Sequence, residues 1–165
     1  HNFETSGKST LGNADGDTVR VLGDMQVSPT SYKFDEDSMV SIAGSGTYHY
    51  LTMGYGIQGS ANNGFVMPRA GHLVAVAANF NVTNATVNTP YIGLYKNGSA
   101  WSGASVMAGP FDASTTGWTK AYATTTRGTY EFNAGDILTP VLYTTGADAI
   151  SLIDLVGTFE VLYDT

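Results

Sequence analysis

Histidine and carboxylate side chains are the first candidates for acid–base chemistry in this chain, which contains no cysteine nucleophile. A Ser-His-Asp triad would have to use His49 or His72. The sequence has no G-x-S-x-G motif, and no acid lies within 10 residues of either histidine. We therefore expect each histidine to lie at a strand edge or an interface and predict no hydrolytic site.

Paired carboxylates for glycoside hydrolysis could come, apart from the two termini, only from Asp112, Glu131, Asp136, Asp148 and Asp154. Most of these lie beside glycine or alanine in short polar stretches, where aspartate is a common turn former. The pattern predicts structural turns and no catalytic residue.

Two acidic clusters offer oxygen ligands for a hard cation, Asp15 with Asp17 and the run Asp35, Glu36 and Asp37. Neither cluster has the twelve-residue loop with a terminal glutamate that characterises a specific calcium site. Without cysteine, thiolate zinc sites and iron–sulfur clusters are excluded. We expect solvated charge here and no metal.

Two glycine-containing segments resemble nucleotide-binding motifs. Residues 54–59 match G-x-G-x-x-G, but the residues that follow do not start a helix, and the next acid is Asp112. Residues 7–9 end like a P-loop, yet Asn2 stands where its first glycine belongs. The sequence therefore predicts no cofactor.

The aromatic residues are the most suggestive feature of the predicted surface. Trp101 and Trp118 both lie in or beside polar, Gly/Ser/Thr-rich stretches. Exposed tryptophans can stack on sugars or anchor protein interfaces. We predict a binding surface on the loops that carry them, with Tyr95 and Tyr122 nearby. In the alternative, each tryptophan folds back to cover one end of the domain.

Composition limits the classes of partner. The 165 residues carry a formal charge of −7, and only 13% are charged. This acidity argues against nucleic-acid binding, which relies on lysine and arginine. The longest apolar run is residues 73–78, far too short for a membrane helix. The sequence opens at His1 without a start methionine or signal pattern, and we expect it to be a fragment or a processed product.

Short strands separated by turn signals predict an all-β sandwich or barrel. The predicted strands are residues 72–82, 91–95, 129–132, 137–143 and 155–163, and the first of them is apolar on both faces. Half of the acids lie in residues 1–37, whereas residues 38–111 contain none. This shift predicts a stalk or linker segment over residues 1–37 and a main domain over residues 38–165.

Four motifs from residue 64 onward occur in the order seen in the C1q/TNF-like jelly rolls. They are residues 64–82 (Phe, Pro and Gly before a long strand), 94–98 (a strand ending in Asn-Gly), 132–137 (a Gly-Asp turn) and 156–159 (a last strand). The chain resembles that family over about 100 residues. Its N-terminal segment, with the turn-rich residues 12–17, resembles the trimeric stalks of bacteriophage fibres and related virion proteins.

The resemblance implies a jelly-roll head of a homotrimeric, non-enzymatic virion protein. Such a protein would act at the virion surface, outside the host cell, and bind a host-surface glycan or protein, or capsid or tail proteins. A sparsely charged, tyrosine-rich surface also favours a trimer, because association would cover it. The alternative function is a carbohydrate-binding module or polysaccharide-active enzyme domain, which suits a sandwich with exposed tryptophans.

Overall fold

The structure is a computed structural model that describes residues 29–36, 40–43, 48–51, 60–85, 89–101, 108–145 and 149–164. These residues form two curled antiparallel sheets and contain no helix. The strands are β1 (Thr30–Glu36), β2 (Val40–Ala43), β3 (Tyr48–Tyr50), β4 (Phe65–Val66), β5 (Gly71–Asn84), β6 (Pro90–Lys96), β7 (Ser99–Ala100), β8 (Gly117–Thr124), β9 (Glu131–Phe132), β10 (Ile137–Thr144) and β11 (Ala149–Tyr163).

The six-stranded sheet has the order β1-β11-β5-β8, with β2 also paired to β11 and β9 to β5. The five-stranded sheet has the order β3-β10-β6-β7, with β4 also paired to β10. The all-β prediction is therefore confirmed, and each strand predicted from the sequence overlaps an observed strand.

Alternation of side chains builds the core between the two sheets. Along β5, Val76, Phe80 and Val82 are buried on one face. Leu94 of β6 and Leu142 of β10 are buried in the same core. Because the side chains of a strand alternate between faces, every second residue of these strands fills the interior.

The opposite face of β5 lies outside the core, although small or apolar residues on both faces are typical of a strand buried between two sheets. Ala75 and Ala77 are half-buried, and Asn79 is exposed. They alternate with the core residues of β5 and so lie on the face turned away from the five-stranded sheet. The described residues thus leave a strand face of alanines and asparagines outside the core.

Residues 30–36 extend the main sheet, since β1 pairs with β11 along its whole length. They belong to the segment predicted as stalk or linker. The boundary at residue 37 stays a prediction, and residues 1–28 lie outside the described part of the chain. The P-loop-like residues 7–9, the acidic pair at 15–17 and the G-x-G-x-x-G match at 54–59 also lie outside the described residues.

Candidate functional site

Trp101 is buried, with 5% of its surface exposed. Its ring meets Tyr130 edge-on at 5.6 Å and Phe132 at 6.3 Å between centroids. The Lys96 ammonium lies 5.3 Å from the ring centroid. The expectation that this tryptophan is on an exposed loop is therefore wrong, because Phe132 of β9 and Tyr130, which precedes that strand, pack against its ring. It belongs to the hydrophobic core cluster.

Tyr95 is also buried, with 8% exposed, beneath two tyrosines of β3. The centroid of its ring lies 5.8 Å from that of Tyr48 and 5.5 Å from that of Tyr50. Burial, followed by the proximity of these two phenols, raises the pKa of Tyr95 to about 12. A side chain so enclosed offers a ligand little surface.

Trp118 and Tyr122 are exposed, by 63% and 78%. Both lie on β8, an edge strand of the six-stranded sheet, and both occur at exposed positions that alternate with half-buried ones. Lys120 and Thr124 complete this outward row. The structure thus brings two of the four predicted site residues together and places the other two in buried clusters.

The surface next to β8 is the outer face of the six-stranded sheet. Asn81, Asn79 and Ala77 of β5 stand opposite Trp118, Lys120 and Tyr122. A shallow cavity of about 420 Å³ is lined by Ala77, Ala78, Lys120, Ala121 and Tyr122. Val156, on β11, is 49% exposed and pairs with Asn79 on the same face. The sequence did not reveal this surface because its residues come from strands far apart in the chain.

His72 lies near a carboxylate that is distant from it in the sequence, Asp164. Its Nδ1 lies 3.8 Å from Oδ1 of Asp164, beyond hydrogen-bonding distance. The imidazole is buried, whereas the aspartate is largely exposed. Within the described ranges, no group of three histidine or acidic side chains has the proximity needed to hold a metal.

Asp136 joins two turns. Its carboxylate accepts hydrogen bonds from the Asn133 backbone N–H at 2.8 Å and from Asn97 Nδ2 at 2.8 Å, and Lys96 Nζ lies 3.9 Å away. These contacts, led by the Asn133 N–H, hold the pKa of Asp136 below its ordinary value. This acid is a turn anchor, in agreement with the sequence-based interpretation.

No protein-family model matches the sequence, and no curated protein matches it. Among solved structures, the crystal structure of FlhE matches at 12% identity with a TM-score of 0.38. The match covers 79% of this chain and 96% of that chain. A similarity this low identifies neither a family nor an activity.

The predicted C1q/TNF-like phage-fibre head, its host-attachment function and its virion-surface location are wrong. The structural comparison gives FlhE and not a fibre head, and the family comparison gives no support. Turn chemistry explains the misleading motifs. Asn97 and Gly98 both have positive φ in the two-residue hairpin between β6 and β7, and Gly135 has a φ of 88° in its turn. Unrelated antiparallel sheets use the same residues for these turns.

The described part of the chain contains no helix with the length and hydropathy that a membrane crossing requires.

Proposed function

We propose that this protein is a non-enzymatic structural module that assembles into a homotrimer through the outer face of its six-stranded sheet. The exposed aromatic residues of β8 and the small residues of β5 form this face. Trp118 and Tyr122, predicted as ligand contacts, act in this proposal as contacts between copies.

The distribution of exposed apolar surface carries the proposal. Five large hydrophobic side chains are exposed in the described residues, and three of them, Trp118, Tyr122 and Val156, lie on this one face. Contiguous apolar patches on monomers are rare and mark interaction sites. Exposed tryptophan and tyrosine are also the residue types that dominate interface energetics.

The centre of the face is suited to close packing. Ala75, Ala77 and Thr158 are half-buried and small, and three of the five residues that line the adjoining cavity are alanines. A strand with small apolar residues on both faces is expected where both faces are covered. In a trimer whose sheet faces turn toward the shared axis, the neighbouring copies would supply the cover that the described residues lack.

The strand order supports a jelly roll as the finer description of the fold. Chain-distant strands alternate in both sheets, β1-β11-β5-β8 in one and β3-β10-β6-β7 in the other. Jelly rolls arrange two such sheets face to face through Greek-key connections. This assignment concerns the fold and implies no viral function.

Light scattering across a dilution series tests the proposal. We expect a mass near three times the chain mass of 17.4 kDa at micromolar concentration. Tyr122→Ser should shift the protein toward monomer without unfolding it, because the side chain is largely exposed. The matched control is Tyr48→Ser, at the exposed tyrosine of the other sheet, which should leave the mass unchanged. A monomeric wild-type protein would overturn the proposal.

A further inference from the structure

Three rows of residues cross the outer face of the six-stranded sheet. Residues 31–35 of β1 pair with β11, and their partners on β11 pair in turn with residues of β5 that pair with β8. From β1 to β8, the rows are Ser31, Glu160, Ala75 and Thr124; Lys33, Thr158, Ala77 and Tyr122; and Asp35, Val156, Asn79 and Lys120. Paired residues share one face, so each row presents four side chains outward.

The two ends of the rows are chemically complementary. The third row begins with a carboxylate, Asp35, and ends with an ammonium group, Lys120. The second begins with an ammonium group, Lys33, and ends with an aromatic ring, Tyr122. Carboxylate with ammonium and ammonium with aromatic ring are both attractive pairs. The first row has a hydroxyl at each end.

The charges at the two ends differ in arrangement. On β8, Lys120 is the one charged side chain among the four exposed residues of the strand. At the β1 end, the Glu160 carboxylate of β11 accepts a hydrogen bond from Ser31 Oγ at 3.3 Å in the first row, and Lys33 and Asp35 lie in the second and third rows. Within the three rows, the two acids, Asp35 and Glu160, both lie on the β1 side of the sheet face, away from Lys120.

Symmetry determines which residues can meet. Rotation about an axis parallel to the strands keeps each residue at its height along that axis. Residues of one row share a height, so the β8 end of a row meets the β1 end of the same row in the next copy. A contact between two different edges is heterologous, and repeated contacts of this kind close into a ring when the rotation between copies divides a full turn.

We propose that the β8 end of the sheet face in one copy binds the β1 end in the next, with Lys120 beside Asp35 and Tyr122 beside Lys33 of the neighbouring copy. This inference rests on the proposed homotrimer and specifies its contacts. It also gives both edge strands a partner. Edge strands without a partner are otherwise protected by charged residues or by irregular structure.

Charge reversal tests the pairing. Lys120→Glu and Asp35→Lys, each alone, should raise the concentration at half-dissociation by about tenfold or more, because like charges then face each other across the contact. The two changes combined in one chain should restore the trimer, since the pair is then re-formed with its signs exchanged. Arg127→Glu, at an exposed residue between β8 and β9, is the matched control and should leave the mass unchanged.

The outcomes separate this inference from the proposed function. If the wild-type protein is trimeric but the double variant stays dissociated, with its far-UV circular dichroism intact, the pairing is overturned. The proposed interface is still supported in that case if Tyr122→Ser also dissociates the trimer. A single reversal that leaves the trimer intact also overturns the pairing. Where Lys120→Glu fails to fold, Lys120→Gln replaces it and should weaken the trimer to a smaller extent. A monomeric wild-type protein overturns both.

Discussion

The ring of Phe34 lies directly against the α-carbon of Gly157 on the neighbouring strand, at the position where β1 and β11 pair. A methyl group on that glycine would overlap ring atoms Cζ and Cε2 and would approach the Ala77 carbonyl oxygen to 2.9 Å. The glycine is thus required by packing, because the aromatic ring occupies the space that a side chain would take.

Gly157→Ala should destabilise the fold by about 1–3 kcal/mol, as overpacking of a filled core does. Urea unfolding measures this loss. In a Phe34→Leu background the same change should cost less, since the smaller side chain leaves room for the methyl group. An equal cost in both backgrounds would show that the ring is not the obstacle.

Trp101→Ala should lower the free energy of unfolding by about 3–5 kcal/mol, because the ring is buried among aromatic residues. Trp118→Ala should cost less than about 1 kcal/mol in the folded monomer, because its ring is mostly exposed. Thermal and urea unfolding of both variants at low concentration make the comparison. Similar losses in the two would contradict these different environments.

Asp136 should contribute stability that disappears in acid. Its pKa is depressed in the folded state, chiefly by the Asn133 N–H, relative to an ordinary value of 3.8. The contribution is present in full at pH values well above 3.8 and is lost as the pH falls through the lower folded-state pKa. Asp136→Asn should be less stable at neutral pH and should lose less stability on acidification. Glu131→Gln, at an exposed acid, serves as the control.

Tyr95 should make the protein sensitive to strong base. Burial raises its folded-state pKa from 10.0 to about 12, so unfolding favours ionisation. Stability from this group is complete below pH 10 and declines as the pH rises from 10 to about 12. Tyr95→Phe should flatten that decline and remove amplitude from the late part of a tyrosinate absorbance titration. An unchanged titration would mean that another phenol ionises there.

Local patterns predicted much of the fold. The apolar run after Gly71 became β5, and the Asn97-Gly98 pair became the hairpin that its positive φ angles allow. β1 was not predicted, because the acids around Tyr32 and Phe34 suggested a separate segment. Its partner, β11, lies more than 110 residues away in the sequence, and no local pattern reveals such a pairing.

The candidate surface was only half predictable. Trp118 and Trp101 have similar polar neighbours in sequence, yet one is exposed and the other is buried. The difference arises from Tyr130 and Phe132, which reach Trp101 from a distant part of the chain. The rows across the sheet likewise depend on register, which sequence alone does not supply.

The position of β11 between β1 and β5 constrains how the protein is made. On the ribosome, residues 30–36 and 71–84 emerge well before residues 149–163, the strand that must lie between them. Until that strand emerges, the two earlier strands have exposed edges and no way to complete the sheet. The main sheet therefore closes only after residues 149–163 have been made, and chaperones that shield strand edges of nascent chains would act before that point.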